Sequence, residues 1–291
     1  TGSGSDTVMG DNGEINYDLN GIIIDLQSTA TNQGGDDIIT ALGGDNTIVG
    51  GFGGDTITTT NGNDVVLGDS GELSYVNNSL TNAVSSETAL GDVDTIAVGE
   101  GDNIVIAGQG ADVVTTGSGS DTVMGDNGEI NYNAGVITDL QSTATDQGGD
   151  DIIAALGGDN TIVGGFGDDA ITTGSGSDSI LGDNGVIEYV DGNAVRLSSN
   201  DDQLANTGRD IINAGAGDNR ILAGLSNDDV TTLDGSDVVL GDNGELTYVD
   251  NSLTHVVSTE TSLGGVDTIA VGEGDNLSLI HISEPTRHAV I

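Results

Sequence analysis

A nine-residue pattern that recurs along the chain constrains the fold more than any other feature of the sequence. It is clearest at residues 50–58, which read GGFGGDTIT and match G-G-x-G-x-D-x-U-x, where U is a large apolar residue. Glycines at the first, second and fourth positions permit a positive φ, which a Cβ atom would penalise. Asp55, at the sixth position, offers a carboxylate oxygen, the ligand type that calcium prefers. Thr56, Ile57 and Thr58 alternate polar and apolar and predict a short strand that buries Ile57.

The sixth position of the pattern can be followed through most of the chain. After a first copy, four blocks of four copies follow, whose first sixth-position residues are at 37, 94, 151 and 210, and a further set begins at 267. These positions are 57, 57, 59 and 57 residues apart. Within a block the copies follow one another every nine residues. We predict that the residues at this position are metal ligands: Asp6, Asp37, Asn46, Asp55, Asp64, Asp94, Asn103, Asp112, Asp121, Asp151, Asn160, Asp169, Asp178, Asp210, Asn219, Asp228, Asp237 and Asp267.

The eighth position predicts the core. It is valine or isoleucine in each copy from Val8 to Ile269. An unbroken series of β-branched residues in one register favours a stack of parallel strands. One apolar residue in nine makes a thin core, and its burial hardly offsets a chain entropy of roughly 1–2 kcal/mol per residue. We therefore expect metal binding to supply part of the folding free energy.

Two nonapeptides make one coil of such a roll, so alternate copies stack along the same edge. We call the edge formed by copies one and three the first edge, and the edge formed by copies two and four the second edge. The first edge is predicted to pair Asp37 with Asp55, Asp94 with Asp112, Asp151 with Asp169, and Asp210 with Asp228. The second edge is predicted to pair Asn46 with Asp64, Asn103 with Asp121, Asn160 with Asp178, and Asn219 with Asp237. Asparagine brings oxygen without charge, so we expect weaker calcium binding there unless neighbouring aspartates compensate, namely Asp45, Asp102, Asp159 and Asp218.

The ninth position predicts that one face of the roll is covered. It is mostly small or polar in copies one and three, and large and apolar in copies two and four, as at Val49 and Leu67. The insertions open with GDNG or GDSG turns and carry all five tyrosines. They lie at about residues 10–31, 68–88, 125–145, 182–204 and 241–261. We interpret each insertion as a β-hairpin packed over the apolar face. The alternative is a longer third coil.

The composition excludes several function classes. The chain has 291 residues, with 48 acidic and 4 basic side chains, no cysteine and no lysine. Disulfides, thiolate metal sites, P-loops and Schiff bases are therefore excluded, and so strong a negative charge argues against a nucleic-acid partner. No apolar run is long enough to insert in a membrane. Every carboxylate is explained by the repeat, so we expect no enzyme, and we interpret the lone His255 as a surface residue.

The last residues depart from the pattern. Residues 262–276 nearly copy residues 89–103, and then the copy stops. Residues 277–291, which include His281 and His288, resemble a translated sequencing adapter, so we predict a non-native tail after a native array of residues 1–276. Residue 1 lies inside a copy of the repeat, and we expect a truncated metagenomic fragment.

Residues 1–276 resemble the RTX family of calcium-binding repeat proteins, in particular the arrays of bacterial secreted adhesins and haemolysin-like proteins. Residues 50–58 and 164–172 match the full nonapeptide, whereas Ser226 and Asp92 replace the fourth glycine of two copies. The resemblance implies an all-β, right-handed parallel β-roll or β-solenoid that binds several Ca²⁺ ions. It implies export by type I secretion, folding on extracellular calcium, and an extracellular or cell-surface location. Two roles follow from it: an adhesin stalk that contacts neighbouring repeats of a longer chain, or the secretion module of an exported enzyme or toxin.

Overall fold

Stacked nonapeptides form two parallel β-sheets, and the insertions form a third, antiparallel sheet. The computed structural model describes residues 1–199, 208–259 and 264–280, which form strands and turns and contain no helix, hence no helix able to cross a membrane. We name the three sheets the open sheet, the covered sheet and the hairpin sheet. The all-β parallel roll expected from the repeat is confirmed.

Copies one and three form the open sheet, in which all neighbouring strands are parallel. Its strands are β4 (Ile38–Ala41), β6 (Thr56–Thr59), β10 (Thr95–Ala97), β12 (Val113–Ser118), β16 (Ile152–Gly157), β18 (Ala170–Ser175), β22 (Ile211–Ala214), β24 (Asp229–Thr232) and β28 (Thr268–Ala270).

Copies two and four, with the first copy, form the parallel covered sheet. Its strands are β1 (Thr7–Met9), β5 (Thr47–Gly51), β7 (Val65–Asp69), β11 (Ile104–Ile106), β13 (Thr122–Met124), β17 (Thr161–Gly165), β19 (Ser179–Asp183), β23 (Arg220–Leu222), β25 (Val238–Leu240) and β29 (Leu277–Leu279).

The insertions form the antiparallel hairpin sheet. Its strands are β2 (Gly13–Tyr17), β3 (Ile23–Ser28), β8 (Gly71–Val76), β9 (Ser79–Ser85), β14 (Gly128–Asn133), β15 (Val136–Ser142), β20 (Gly185–Val190), β21 (Asn193–Ser199), β26 (Gly244–Val249) and β27 (Ser252–Ser258).

The core between the two parallel sheets is built from the eighth position of the repeat. In the open sheet Ile57 lies beside both Ile39 and Ile96, and in the covered sheet Ile48 lies beside Val66. Because a parallel register keeps equivalent positions side by side, the β-branched residues form continuous buried columns. The core predicted from the eighth position is confirmed.

The hairpins cover the outer face of the covered sheet, as interpreted from the ninth position. Val49, Leu67 and their equivalents are buried against hairpin residues such as Leu73 and Leu140. The second strand of each hairpin pairs with the first strand of the next hairpin, as β3 does with β8, so the hairpins join into one sheet. This arrangement rules out the alternative of a longer third coil.

Two-residue turns explain why four of the five insertions form tight hairpins. Asn77 and Asn78 link β8 to β9 with φ of 51° and 65°, and Asp250 and Asn251 link β26 to β27 with φ of 49° and 58°. Positive φ at both central residues matches the right-handed twist of antiparallel strands, and asparagine and aspartate tolerate it.

The end of the described chain still follows the roll. Strand β29 pairs in register with β25, but it places Ser278 beside Val239, where other copies have an apolar residue. Residues 281–291, with His281 and His288, lie outside the described residues, so the non-native tail stays a prediction. His255 is exposed on β27.

Candidate metal sites along the two edges

The first-edge aspartates form one continuous series of hydrogen bonds. The backbone N–H of Asp37 donates to Oδ1 of Asp55 at 2.7 Å, and the N–H of Asp55 donates to Oδ1 of Asp94 at 2.6 Å. The same contact continues through Asp94, Asp112, Asp151, Asp169, Asp210, Asp228 and Asp267. The pairs predicted within a block are adjacent, and the contacts between blocks, across the insertions, were not predicted.

The second oxygen of seven of these carboxylates is buried and accepts no hydrogen bond from the described residues. Asp94 and Asp112 are fully buried, and Asp55 is 1 % exposed. The Oδ2 atoms without a donor include those of Asp37, Asp55, Asp94, Asp112, Asp151, Asp169 and Asp228. A buried carboxylate oxygen without a partner is costly, so this edge needs a proton or a cation.

Several of these oxygens lie close to a main-chain carbonyl oxygen of a neighbouring coil, namely those of Asp37, Asp55, Asp94, Asp151 and Asp169. A Cβ atom built on Gly50 would overlap both Oδ2 of Asp55 and the carbonyl oxygen of Gly68. A Cβ atom on Gly68 would likewise overlap Oδ2 of Asp94 and the carbonyl oxygen of Ala107. The two atoms nearest to the space beside each of these glycines are therefore oxygens, the ligand type that calcium prefers.

Backbone oxygens are needed to complete such sites. Among the described residues, no group of three or more histidine, aspartate or glutamate side chains converges where a metal ion could be held. The side chains supply only the carboxylates of neighbouring coils, and the turn carbonyls supply further oxygens. The first edge fits calcium, which takes 6–8 oxygen ligands in flexible geometry.

Burial raises the pKa of the first-edge aspartates. Burial raises the pKa of Asp55 to about 6, of Asp112 to about 7, of Asp94 to about 8 and of Asp228 to about 9. Neighbouring aspartates add to the effect of burial. The carboxylates are thus hard to ionise together without a counter-charge.

The second edge has the same backbone contacts but different chemistry. The N–H of Asp64 donates to Oδ1 of Asn103 at 3.0 Å, and the N–H of Asn103 donates to Oδ1 of Asp121 at 2.9 Å. The series runs from Asp6 through Asn46, Asp64, Asn103, Asp121, Asn160, Asp178, Asn219 and Asp237 to Asn276. The pairs predicted for this edge are therefore also adjacent.

The neighbouring aspartates of the second edge lie outside the roll. Asp45, Asp102, Asp159 and Asp218 are exposed. They accept backbone hydrogen bonds from the next coil, as Asp102 Oδ1 does from the N–H of Ser120 at 2.8 Å. They stabilise the outer side of the turns. That they compensate for asparagine in calcium binding stays a prediction.

A set of buried aspartates at the start of the insertions was not predicted from the sequence. Asp69, from the GDSG turn, is 3 % exposed, and its Oδ2 accepts the N–H of Gln109 at 2.6 Å. Asp126, from a GDNG turn, accepts the N–H of Gly149 at 3.0 Å and that of Phe166. Burial raises the pKa of Asp69 to about 10. These carboxylates fix each hairpin to the next coil, and the recurrence of GD[NS]G at every insertion was the signal that marked them.

The fold and the edges define a class: a parallel β-roll whose turns carry regularly spaced oxygen ligands. The family model of the RTX calcium-binding nonapeptide repeat matches four segments, residues 33–66, 89–129, 146–185 and 204–239, which together make up more than half of the chain. The chain belongs to this family, whose repeats bind calcium. Comparison with curated proteins and with solved structures gives no match.

Proposed function

We propose that this chain is a calcium-dependent structural region of a secreted or cell-surface bacterial protein, that it folds on calcium after export, and that it is not an enzyme. The observation that carries the proposal is the series of buried first-edge Oδ2 atoms, of which those of Asp37, Asp55, Asp94, Asp151 and Asp169 lie beside a carbonyl oxygen of a neighbouring coil. Membership of a calcium-binding repeat family supports it.

The residues that would hold the ion lie on successive coils. Two oxygens lie close together between neighbouring coils at each site. At one site they are Oδ2 of Asp55 and the Gly68 carbonyl oxygen, and at the next they are Oδ2 of Asp94 and the Ala107 carbonyl oxygen. Calcium supplies two positive charges there, which offset the repulsion between carboxylates. Because each Oδ1 holds the N–H of the adjacent coil, the side chains are already oriented. Calcium binding would therefore be coupled to stacking of the coils.

A stalk is the role that the continuity of the roll favours. The three sheets and the first-edge series run without interruption through the blocks. Neighbouring strands lie roughly 4.8 Å apart, so each block of two coils would lengthen a rod by roughly 10 Å. The partners on this reading are calcium ions and neighbouring repeats of a longer chain.

The second candidate is the secretion and folding module of an exported enzyme or toxin. The family supports it, since such repeats are typical of secreted bacterial proteins. The flanking gene sequence separates the two roles. Many further 57-residue blocks would favour the stalk, and an adjoining catalytic or pore-forming domain would favour the module.

A circular dichroism titration tests the proposed function. The chelated protein is titrated with calcium, with magnesium as the control. We expect a cooperative transition from coil to β-structure that calcium produces and magnesium does not, because magnesium demands a smaller, near-octahedral site. A chelated protein that is already β-rich and does not respond to calcium would refute the proposal.

A further inference from the structure

We infer that calcium binds along the first edge only, and that asparagine amides take its place along the second edge. The inference rests on the proposed calcium-dependent function and adds where on the roll the ions lie. It changes the prediction that the second-edge residues are ligands: Asp6, Asn46, Asp64, Asn103, Asp121, Asn160, Asp178, Asn219 and Asp237.

The asparagine side chains satisfy the second edge with hydrogen bonds. Nδ2 of Asn103 donates to the Gly101 carbonyl at 2.9 Å and to Oδ1 of Asp121 at 3.0 Å. Its Oδ1 accepts the N–H of Asp64. Asn103 is 1 % exposed, and both its oxygen and its nitrogen have partners. A neutral amide thus connects a turn carbonyl to the carboxylate of the next coil.

The same arrangement recurs in the other blocks. Nδ2 of Asn46 donates to Gly44 O at 2.7 Å and to Asp64 Oδ1 at 2.8 Å. Asn160 and Asn219 make the equivalent pairs of contacts, to Gly158 O and Asp178 Oδ1 and to Gly217 O and Asp237 Oδ1. The amide therefore takes the same partners at every asparagine position of the four complete blocks.

The amide nitrogen stands where the first edge has a bare oxygen. Asparagine and aspartate have the same shape, so Nδ2 of Asn103 corresponds to Oδ2 of a first-edge residue such as Asp112. Nδ2 of Asn103 has hydrogen-bond partners in the protein, whereas Oδ2 of Asp112 has none among the described residues. A calcium ion on the second edge would have to displace an N–H donor, and an N–H cannot ligate a cation.

The aspartates of the second edge have a hydroxyl nearby that the first edge lacks. Oγ1 of Thr232 donates to Oδ2 of Asp237 at 2.6 Å. A buried threonine also lies five residues before the second-edge aspartate of each of the other three blocks: Thr59 before Asp64, Thr116 before Asp121 and Thr173 before Asp178. The Oδ2 atoms of these three aspartates have no donor in the described geometry. A threonine hydroxyl can rotate to donate.

At the equivalent place before the first-edge aspartates of the third copies the chain has glycine or alanine, which have no side-chain donor: Gly50, Ala107, Gly164 and Ala223. Before the asparagines it has Ala41, Val98, Ala155 and Ala214. Threonine thus accompanies aspartate on the second edge, and at Asp237 its hydroxyl donates to the carboxylate.

Counting bound ions in matched variants tests the inference. Calcium per chain is measured by equilibrium dialysis on the wild type and three full-chain variants, and circular dichroism confirms that each is folded. We expect Asn103→Asp to bind about one more ion, because it converts a hydrogen-bonded amide into a carboxylate. We expect Asn103→Ala to bind as many ions as the wild type, and the first-edge variant Asp112→Asn to bind about one fewer.

The outcomes separate the inference from the proposed function. A wild type that binds no calcium refutes the proposed function. Calcium binding by the wild type, together with loss of an ion in Asn103→Ala, would show that the amide is a ligand and overturn the inference alone. An unchanged count in Asn103→Asp would overturn it as well. If Asp112→Asn does not fold, the two Asn103 variants still decide the question.

Discussion

Ser226 occupies a turn position that is glycine in the equivalent copies. Its φ is 89°, while Gly53, Gly110 and Gly167 have φ of 117°, 150° and 121°. A side chain in this region is strained, so the turn forms with a smaller φ and at a cost. Asp92, the other residue that replaces a fourth glycine, has no positive φ, because it lies where an insertion returns to the roll rather than in a short turn. From the sequence alone, both turns were expected to be disturbed to the same degree.

Replacing Ser226 with glycine is expected to stabilise the calcium-loaded protein. Relief of the strain is worth roughly 1 kcal/mol. The reverse change in a glycine turn, Gly167→Ser, is expected to destabilise, because its Cβ would overlap the carbonyl of Gly149. Urea denaturation at saturating calcium compares both with the wild type. A lower midpoint for Ser226→Gly would contradict the strain argument.

The tyrosine hydroxyls show how a single residue of the roll affects the hairpin above it. Tyr189 OH and Thr161 Oγ1 lie 2.7 Å apart, and Tyr75 OH and Thr47 Oγ1 lie 3.3 Å apart. Tyr132 has Ile104 at the corresponding place, 28 residues earlier, and its buried hydroxyl has no partner among the described residues. A buried hydroxyl without a partner costs about 1–3 kcal/mol.

We expect Thr161→Ile to destabilise the protein by about 1–3 kcal/mol, since it leaves Tyr189 OH unpaired. The reciprocal change, Ile104→Thr, gives Tyr132 OH a partner and is expected to cost nothing or to stabilise slightly. Urea midpoints at saturating calcium measure both. Equal losses in the two variants would show that apolar contact, and not the hydrogen bond, governs this position.

At the scale of the elements, the hairpins provide an apolar layer that the nonapeptides cannot supply. Leu140 on β15 is fully buried, and it lies beside Ile130 of its own hairpin and Ile187 of the next. Val136, on the same strand, is 47 % exposed. The strand thus offers a buried and an exposed position within four residues.

Leu140→Ala is expected to destabilise by about 2–5 kcal/mol, because it leaves a cavity under the hairpin sheet. Val136→Ala, the matched control, is expected to change the free energy of unfolding by less than about 0.5 kcal/mol. Thermal unfolding at saturating calcium measures both. Similar losses in the two variants would mean that the hairpin contributes no packed layer.

The elements were the part of the fold most readily predicted from sequence. The eighth position predicted the core, the ninth position predicted the covered face, and the GDNG turns predicted the hairpins. These features could be predicted because each depends on local backbone preference and side-chain alternation. Asp69 and Asp126 were missed as buried groups, since their partners Gln109, Gly149 and Phe166 are distant in sequence.

At the scale of the whole molecule, 48 acidic side chains give the chain a net charge of −44. A minority of these residues are the buried carboxylates of the two edges, and many of the others lie on the surface. Repulsion between the buried edge carboxylates acts at short range and is little screened by salt, whereas repulsion between surface carboxylates weakens at high ionic strength. We therefore expect sodium chloride to be a poor substitute for calcium in folding the roll.

Without calcium, the protein is expected to gain β-structure as the pH falls. The folded pKa values of Asp55, Asp112 and Asp94, about 6, 7 and 8, lie above the unfolded value near 3.9. The folded state binds more protons, so their stabilising contribution is complete below the unfolded pKa and is lost as the pH rises through about 6 to 8. Circular dichroism of chelated protein between pH 4 and 9 measures this, with calcium-loaded protein as the control. More β-structure at pH 9 than at pH 4 would contradict it.

The sequence by itself determined the nine-residue register, the buried columns, the covered face and the position of every edge residue. It could do so because a parallel stack repeats the same local conformation, and each position of the nonapeptide encodes its own part of that conformation. Only the tertiary structure decided what each edge residue contacts. Steps of 18 residues within a block alternate with steps of 39 or 41 residues across an insertion, which depend on the hairpin leaving the roll. Whether Asp112 keeps a bare oxygen and Asn103 a hydrogen-bonded amide depends on atoms that only the stacked coils bring together.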